Sequence, residues 1–383
     1  MRLPRLLHVL VVLAAVLLFA GPRNAAGCEC DSPHVRHDGN VRHHDSVIRV
    51  YPTHHDDTAN LRCALAVASR EPGHTIELAA GQFWTRQLWA QNFVGTLKGQ
   101  GADKTILSNP GPLQVATGNV LMSPPSRANL WPALMTFVDG DFTVSDLTIR
   151  IKGPQVTTAP WSFGGLLDAE NALAGEIIVT GSKADASFTR LTIEGATVEQ
   201  GFSAPYGDVV SIFYQPILGF YAKPMSGRFA VTGCTFRNVS EGFNAIGVEH
   251  AEVTWHANTI LASGVGFELF DAAHTVLEAI GNKIETTTDS AFPACIIGGT
   301  AFVGLGLKYT TVLIADNNIM SPGTGLYGIS VDPDVFERDH VILVDNAVAS
   351  VDGIYLGKET VGCIVKADGV PVVDDGSANW VLP

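Results

Sequence analysis

Val231-Thr-Gly-Cys-Thr-Phe236, Trp255-His-Ala-Asn-Thr-Ile260 and Ile280-Gly-Asn-Lys-Ile284 decide how this chain reads. In each, Cys234, Asn258 or Asn282 stands two positions before an apolar residue, Phe236, Ile260 or Ile284, and the marks are spaced 24 and 24 residues apart. A constant step of that length is one coil of a solenoid. Between the marks apolar and polar residues alternate, as in Glu252-Val-Thr-Trp255 and Gly266-Phe-Glu-Leu-Phe270, and Gly, Asn, Ser and Asp break the runs. Period-two patterning in runs of four or five predicts short strands joined by turns, not helix. Such a coil cannot bury its apolar face alone, so successive coils must stack in parallel around one core. The recurrent Asn suits a turn in which its amide hydrogen-bonds to the next coil and left-handed backbone is tolerated.

The same mark extends outward. Leu147-Thr-Ile149 and Leu191-Thr-Ile193 are 44 residues apart, and Cys234 follows 43 later. Asn317 and Asn346 follow at steps of 35 and 29, so those coils carry longer loops. With these repeats on the page, the chain resembles the right-handed parallel β-helix, the pectin-lyase-like fold. The expected class is therefore all-β, a single right-handed parallel β-helix solenoid of about nine to eleven coils, with a short amino-terminal capping helix.

The cap is read from its own residues. Val47-Ile-Arg-Val-Tyr51 has a strand pattern, and Asp56-Asp-Thr58 precedes an Ala-rich stretch, residues 59–69, with apolar Leu61, Leu65 and Val67. Asp57 or Thr58 is the expected helix cap, accepting backbone N–H bonds. Thr75-Ile-Glu-Leu78, Ala80-Gly81 and Lys98-Gly-Gln-Gly101 follow. This order closely resembles the cap and first coil of pectin-lyase-like proteins, which implies that the helix plugs the open end of the solenoid. Gly99-Gln-Gly101 lacks the spacing of a phosphate loop and reads as a tight turn between coils.

Composition narrows the function. Charged residues make up 16% of the chain and apolar ones 46%, which suits a well-buried, turn-rich β protein and excludes disorder. A net charge of −14 with 24 Lys and Arg argues against a nucleic-acid partner. Residues 1–27 read as a signal peptide, with Arg2 and Arg5 ahead of an apolar run from Leu6 to Ala20 that is too short for a membrane span. Residues 28–46 form a polar, His-rich leader, 47–365 the β-helix and 366–383 a carboxy-terminal tail. Ala25-Ala-Gly-Cys28 resembles a bacterial lipobox, so two maturations stay open: a lipid anchor at Cys28, or ordinary signal-peptidase cleavage. Six cysteines in an exported chain permit disulfides whose pairing the sequence does not resolve. The leader and the segment after it hold His34, His37, His43, His44, His54 and His55, imidazoles of the kind that bind metals. No rigid spacing or thiolate pattern selects a set from them.

Stretches that interrupt the repeat are where function is expected. Residues 108–135, 154–165 and 200–227 read as insertions, and Trp161, Tyr206, Tyr214 and Tyr221 are the candidate residues for stacking on sugar rings. Within the repeat, Glu249-His250 and Asp271 to His274 fall at one phase, and Lys308-Tyr309, Asp332, Asp334, Arg338 to His340 and Lys358-Glu359 are expected at the same phase. A column of carboxylates and imidazoles is the raw material of general acid–base chemistry or of Ca²⁺ ligation. His250 or His274 is the candidate base, with Asp271 and Glu249 orienting it or holding Ca²⁺, the one cofactor considered. Glu268, inside a strand, is expected at a solvated ladder position.

The resemblance implies a superfamily of polysaccharide lyases, glycoside hydrolases, epimerases and non-catalytic members. The polygalacturonase signatures and a clear pectate-lyase calcium set are absent from this sequence, and fold alone does not fix function. Two readings stand: an exported, monomeric bacterial protein that binds an extracellular polysaccharide, with its cleavage by lyase or hydrolase chemistry left open; or a non-catalytic surface module, an adhesin or envelope scaffold.

Overall fold

The structure, a computed structural model, describes residues 40–86, 88–109, 133–151, 175–195, 210–216, 224–286, 302–321, 327–332, 339–350 and 352–383. Their strands form three parallel ladders that the chain visits in rotation. Sheet one holds Val47–Val50, His74–Leu78, residues 95–98, 141–145 and 184–189, Met225–Thr232, Val248–His256, Val276–Ile280, Thr311–Ala315, His340–Val344, Ile364–Lys366 and Trp380–Leu382. Sheet two runs from Gly81–Trp84 through Thr105–Ser108, Thr148–Arg150, Thr192–Glu194, residues 235–237 and 259–262, Lys283–Thr286 and Asn318–Ser321 to Ala347–Ser350. Sheet three holds ten strands, one per coil: residues 88–93, 133–138 and 175–181, Val210–Pro216, residues 241–246 and 265–270, Phe302–Leu305, Ile329–Asp332, Ile354–Leu356 and Val372–Asp374. The fold is the right-handed parallel β-helix, the hand that parallel crossovers take.

Alternation decides which residues enter the core. Phe243, Trp255, Phe267 and Phe302 are fully buried, and Trp255 stacks on Phe267 with centroids 4.9 Å apart. Gly140 serves the corner between sheets three and one: its φ is +123°, and a Cβ there would strike the carbonyl oxygen of Phe93 in the neighbouring coil.

The corner between sheets one and two carries the mark seen in the sequence. The backbone N–H of Cys234 donates to Asn258 Oδ1, that of Asn258 to Asn282 Oδ1 and that of Asn282 to Asn317 Oδ1, each at 2.9 Å. Asn317 N–H donates to Asn346 Oδ1 at 3.1 Å. Each Asn amide also donates inward to the preceding coil, for example Asn282 Nδ2 to Trp255 O at 2.8 Å. The buried amides of Asn258, Asn282 and Asn317 are thus satisfied on both sides, and Asn346 closes the ladder with bonds to the preceding coil. Cys234 takes the apolar end of the column, and burial pushes its thiol up to about 12.

The amino-terminal end differs from expectation in two ways. The helix α1, Thr58–Arg70, buries Leu61, Ala64, Leu65 and Ala68 against the core as a plug, yet Asp57 does not cap it by side-chain hydrogen bonding. Its buried carboxylate instead accepts from Thr53 N at 2.8 Å and Trp84 N at 3.0 Å, tying the cap to the first coil. Part of the predicted leader is also ordered into the domain: Val41–His44 pairs antiparallel with Val47–Val50, the one antiparallel pairing among the described residues. At the other end, the expected tail is two further strands, Val372–Asp374 and Trp380–Leu382, so the solenoid continues through it.

Candidate functional site

Sheet three separates from the others by what lies on its outside. With Phe243, Ala245, Phe267 and Leu269 pointing into the core, their neighbours point out. One register column on that outer face includes Thr136, Ile178, Asn244, Glu268, Ser330 and Tyr355. Thr136, Ile178, Asn244 and Ser330 are buried although they face outward, and Glu268 and Tyr355 are half-buried. This face is therefore recessed, whereas Arg228 on the outside of sheet one and Arg190 at the corner that follows it stand in solvent, paired with Asp185 and Asp146. Glu268 does not occupy the fully solvated position expected of it.

Further polar and aromatic groups border the column. Thr180, two residues after Ile178 and fully buried, has a hydroxyl without a hydrogen-bond partner among the described residues. Phe270 lies on the same face, two residues after Glu268, and is 38% exposed. Tyr327 stacks on Tyr355 with centroids 4.9 Å apart, and the Tyr355 hydroxyl donates to Asp375 Oδ2 at 3.4 Å. Burial first, then the Asp332 and Asp375 carboxylates, raises the Tyr355 phenol above its ordinary value and keeps it a donor.

The sequence-predicted column forms the corner between sheets three and one. Glu249, Ala273 and Lys308 pair in parallel, and His250, His274 and Tyr309 stack one above another. His250 and His274 have centroids 4.9 Å apart with planes 11° from parallel; His274 and Tyr309 are 4.9 Å apart at 3°. All three backbones are left-handed, which turns the rings onto the outside of the corner. Glu249 Oε1 lies 3.8 Å from His250 Nε2, beyond hydrogen-bond distance. Asp271 aligns with Gly306, directly after the paired Phe270 and Leu305, and so belongs to a different row from the imidazoles. The structure brings the two histidines together, but no described carboxylate orients either ring as a base requires.

The aromatic candidates fare differently. Tyr214 falls in the strand Val210–Pro216, at the register position that buried Val179 and Ala245 occupy in adjacent coils, so that part of 200–227 is a coil strand and not an insertion. Trp161, Tyr206 and Tyr221 lie outside the described residues. The sequence reasoning passed over Asn244, Ser330 and Tyr355; the signal for them was a polar residue at the outward phase of otherwise apolar strands.

Among the described residues, one group of side chains has metal-ligand spacing, His43, Glu71 and His74, away from sheet three at the amino-terminal end. No helix among the described residues is long and apolar enough to cross a membrane.

No family model matches the chain, and no curated protein does. Solved structures with similar winding include pectin methylesterase PemA from Erwinia chrysanthemi, with a TM-score of 0.43 and 13% identity over 81% of this chain and 91% of that one. The A-module of mannuronan C-5 epimerase AlgE4 from Azotobacter vinelandii gives 0.28 and 12% over 79% and 94%. The catalytic unit of a GH87 alpha-1,3-glucanase from Streptomyces thermodiastaticus strain HF3-3 gives 0.29 and 14% over 85% and 66%. The likeness is one of fold, and it carries no statement about activity.

Proposed function

We propose that this protein is exported and binds an extracellular polysaccharide along the outer face of sheet three. The observation that carries the reading is the register column from Thr136 to Tyr355. It places the hydroxyls of Thr136 and Ser330, the amide of Asn244, the carboxylate of Glu268 and the phenol of Tyr355 in a line parallel to the solenoid axis, on strands that stack at ~4.8 Å. A linear polymer lying along that line meets polar groups at several coils, the half-buried Glu268 and Tyr355 being the most accessible, while Phe270 and the Tyr327–Tyr355 stack offer apolar ring faces. The disulfide at Cys63 supports export, since such bonds persist in oxidising compartments. The other described cysteines, Cys234 and Cys363, are free.

Binding is favoured over cleavage because His250 and His274 pair with each other and not with a carboxylate. The test is retention of the purified chain on neutral and uronate-containing polysaccharides, with and without Ca²⁺, alongside assays for new reducing ends and unsaturated uronates. Retention on at least one polymer, weakened in Glu268→Ala and Tyr355→Ala, is the expected result. Product that disappears in His250→Ala or His274→Ala moves the reading to a hydrolase or lyase. No retention on any polymer removes the proposal in favour of a scaffold module.

A further inference from the structure

We propose that His43, Glu71 and His74 form a binding site for a divalent transition metal, with Zn²⁺ the best fit. Three separate elements bring them together. His43 comes from the antiparallel strand Val41–His44, Glu71 closes α1 as its C-cap, and His74 opens the strand His74–Leu78. His43 Nε2 lies 3.1 Å from His74 Nε2, and Glu71 Oε2 lies 3.3 Å from the same nitrogen. All three ligand atoms fall within 4.8 Å of one another.

The hydrogen bonding fixes what the central nitrogen presents. His74 Nδ1 lies 2.6 Å from the carbonyl oxygen of Glu71, and a carbonyl only accepts, so Nδ1 carries the proton. With that proton on Nδ1, an unprotonated Nε2 directs its lone pair toward the Glu71 carboxylate oxygen, which has no proton to give, and toward His43 Nε2, which donates or accepts according to its tautomer. Lone pairs facing across 3.3 Å repel unless positive charge sits among them. An Nδ1–H held by a backbone carbonyl is also the outer contact that orients a metal-binding histidine. Zinc bonds of about 2.0–2.1 Å in tetrahedral array put ligand atoms about 3.3–3.4 Å apart, close to the 3.1 and 3.3 Å seen here.

The ligand set selects the ion class. Two imidazoles and one carboxylate suit Zn²⁺, Cu²⁺ or Ni²⁺, whereas Ca²⁺ takes oxygen ligands throughout. The His74 side chain is 9% exposed and rigidly placed; that of Glu71 is 59% exposed and free to swing onto the ion. A bound ion would pin the antiparallel strand to α1 and to the second sheet-one strand, His74–Leu78. It would thereby lock the end of the solenoid where Val41–His44 covers the edge of the first parallel strand.

The experiment is titration of the full exported chain with Zn²⁺ by calorimetry, with thermal unfolding measured alongside and Co²⁺ as a spectroscopic substitute. Expected are one ion bound per chain, a rise in Tm with Zn²⁺ but not Ca²⁺, and the visible absorption of tetrahedral Co²⁺. His43→Gln and Glu71→Gln, both at exposed side chains, are expected to weaken binding by about a hundredfold, the upper range for losses around metal ligands. His44→Ala and His54→Ala are expected to bind as the parent does. Stoichiometric binding that survives His43→Gln and Glu71→Gln would overturn the site, placing the ion on other histidines. Absence of binding, with ring-nitrogen NMR showing His74 protonated on both nitrogens, would overturn it in favour of a proton as the bridging charge.

Discussion

Two ladders climb this solenoid at different corners. Between sheets one and two, Asn258, Asn282, Asn317 and Asn346 stack in the interior, the first three amides held from above and below. Between sheets three and one, His250, His274 and Tyr309 stack on the outside at nearly the same coil spacing. The parallel winding imposes stacking on both. What differs is water. A buried amide that loses its neighbour has nothing to replace it, whereas an exposed ring that loses its neighbour is rehydrated. The buried ladder therefore holds the fold, and the exposed one is free to vary or to serve a surface.

The sharpest way to break that contrast is Asn282→Ala. It removes the acceptor used by the backbone N–H and the Nδ2 of Asn258, and the donor used by the carbonyl of Trp255. Leaving these buried groups unpaired is expected to cost about 3–5 kcal/mol, read from denaturant unfolding. A loss below about 1 kcal/mol would mean that water enters the corner and that the ladder is not buried in solution.

A smaller effect is expected from the charged rows on the outside of sheets one and two. Hydrogen bonds from Lys98 and then Arg49 hold the Glu77 carboxyl below its ordinary range, and Arg190 does the same for Asp146. A carboxyl depressed in the folded state adds stability that is fully present above its unfolded value, about 4. That stability is lost as pH falls through the lower folded value. The contribution of these pairs to the unfolding midpoint should thus be independent of pH near neutrality and decline below about pH 4. Glu77→Gln combined with Asp146→Asn should flatten that acid decline, and an unchanged acid limb would show the pairs to be inert. The basic partners are largely exposed, which keeps the contribution modest.

The smallest effect belongs to the imidazole ladder. His274→Ala removes two ring stacks in solvent and is expected to change stability by less than about 0.5 kcal/mol. A loss comparable to that of Asn282→Ala would erase the distinction between the two corners.

The asparagine ladder was legible because the mark recurs at a fixed step of 24 residues and period-two patterning fixes which neighbours point inward. The phase of the imidazole column was legible for the same reason: Glu249, Ala273 and Lys308 do pair, and His250, His274 and Tyr309 do align. Which way those side chains point was not legible. It depends on left-handed turn residues that rotate the rings toward one another and place Asp271 in another row. The setting of Glu268 was hidden for a different reason: alternation tells outside from inside, and a recessed outside looks the same in sequence as a solvated one. His43, Glu71 and His74 meet only because the first strand folds back antiparallel, a reversal that the parallel repeat gives no reason to expect. Asp57 misled through local chemistry, since an acidic residue before a helix normally caps it, whereas here its carboxylate reaches Trp84 in the first coil.

The most direct test of the functional account is the affinity of the chain for oligosaccharides of increasing length, cut from whichever polysaccharide retains it best. Binding along sheet three predicts affinity that rises with length over several coils and is abolished in a Glu268→Ala, Tyr355→Ala double variant that unfolds at the parent's midpoint. Length-independent binding, unchanged binding by that variant, or no retention by any polysaccharide would contradict it.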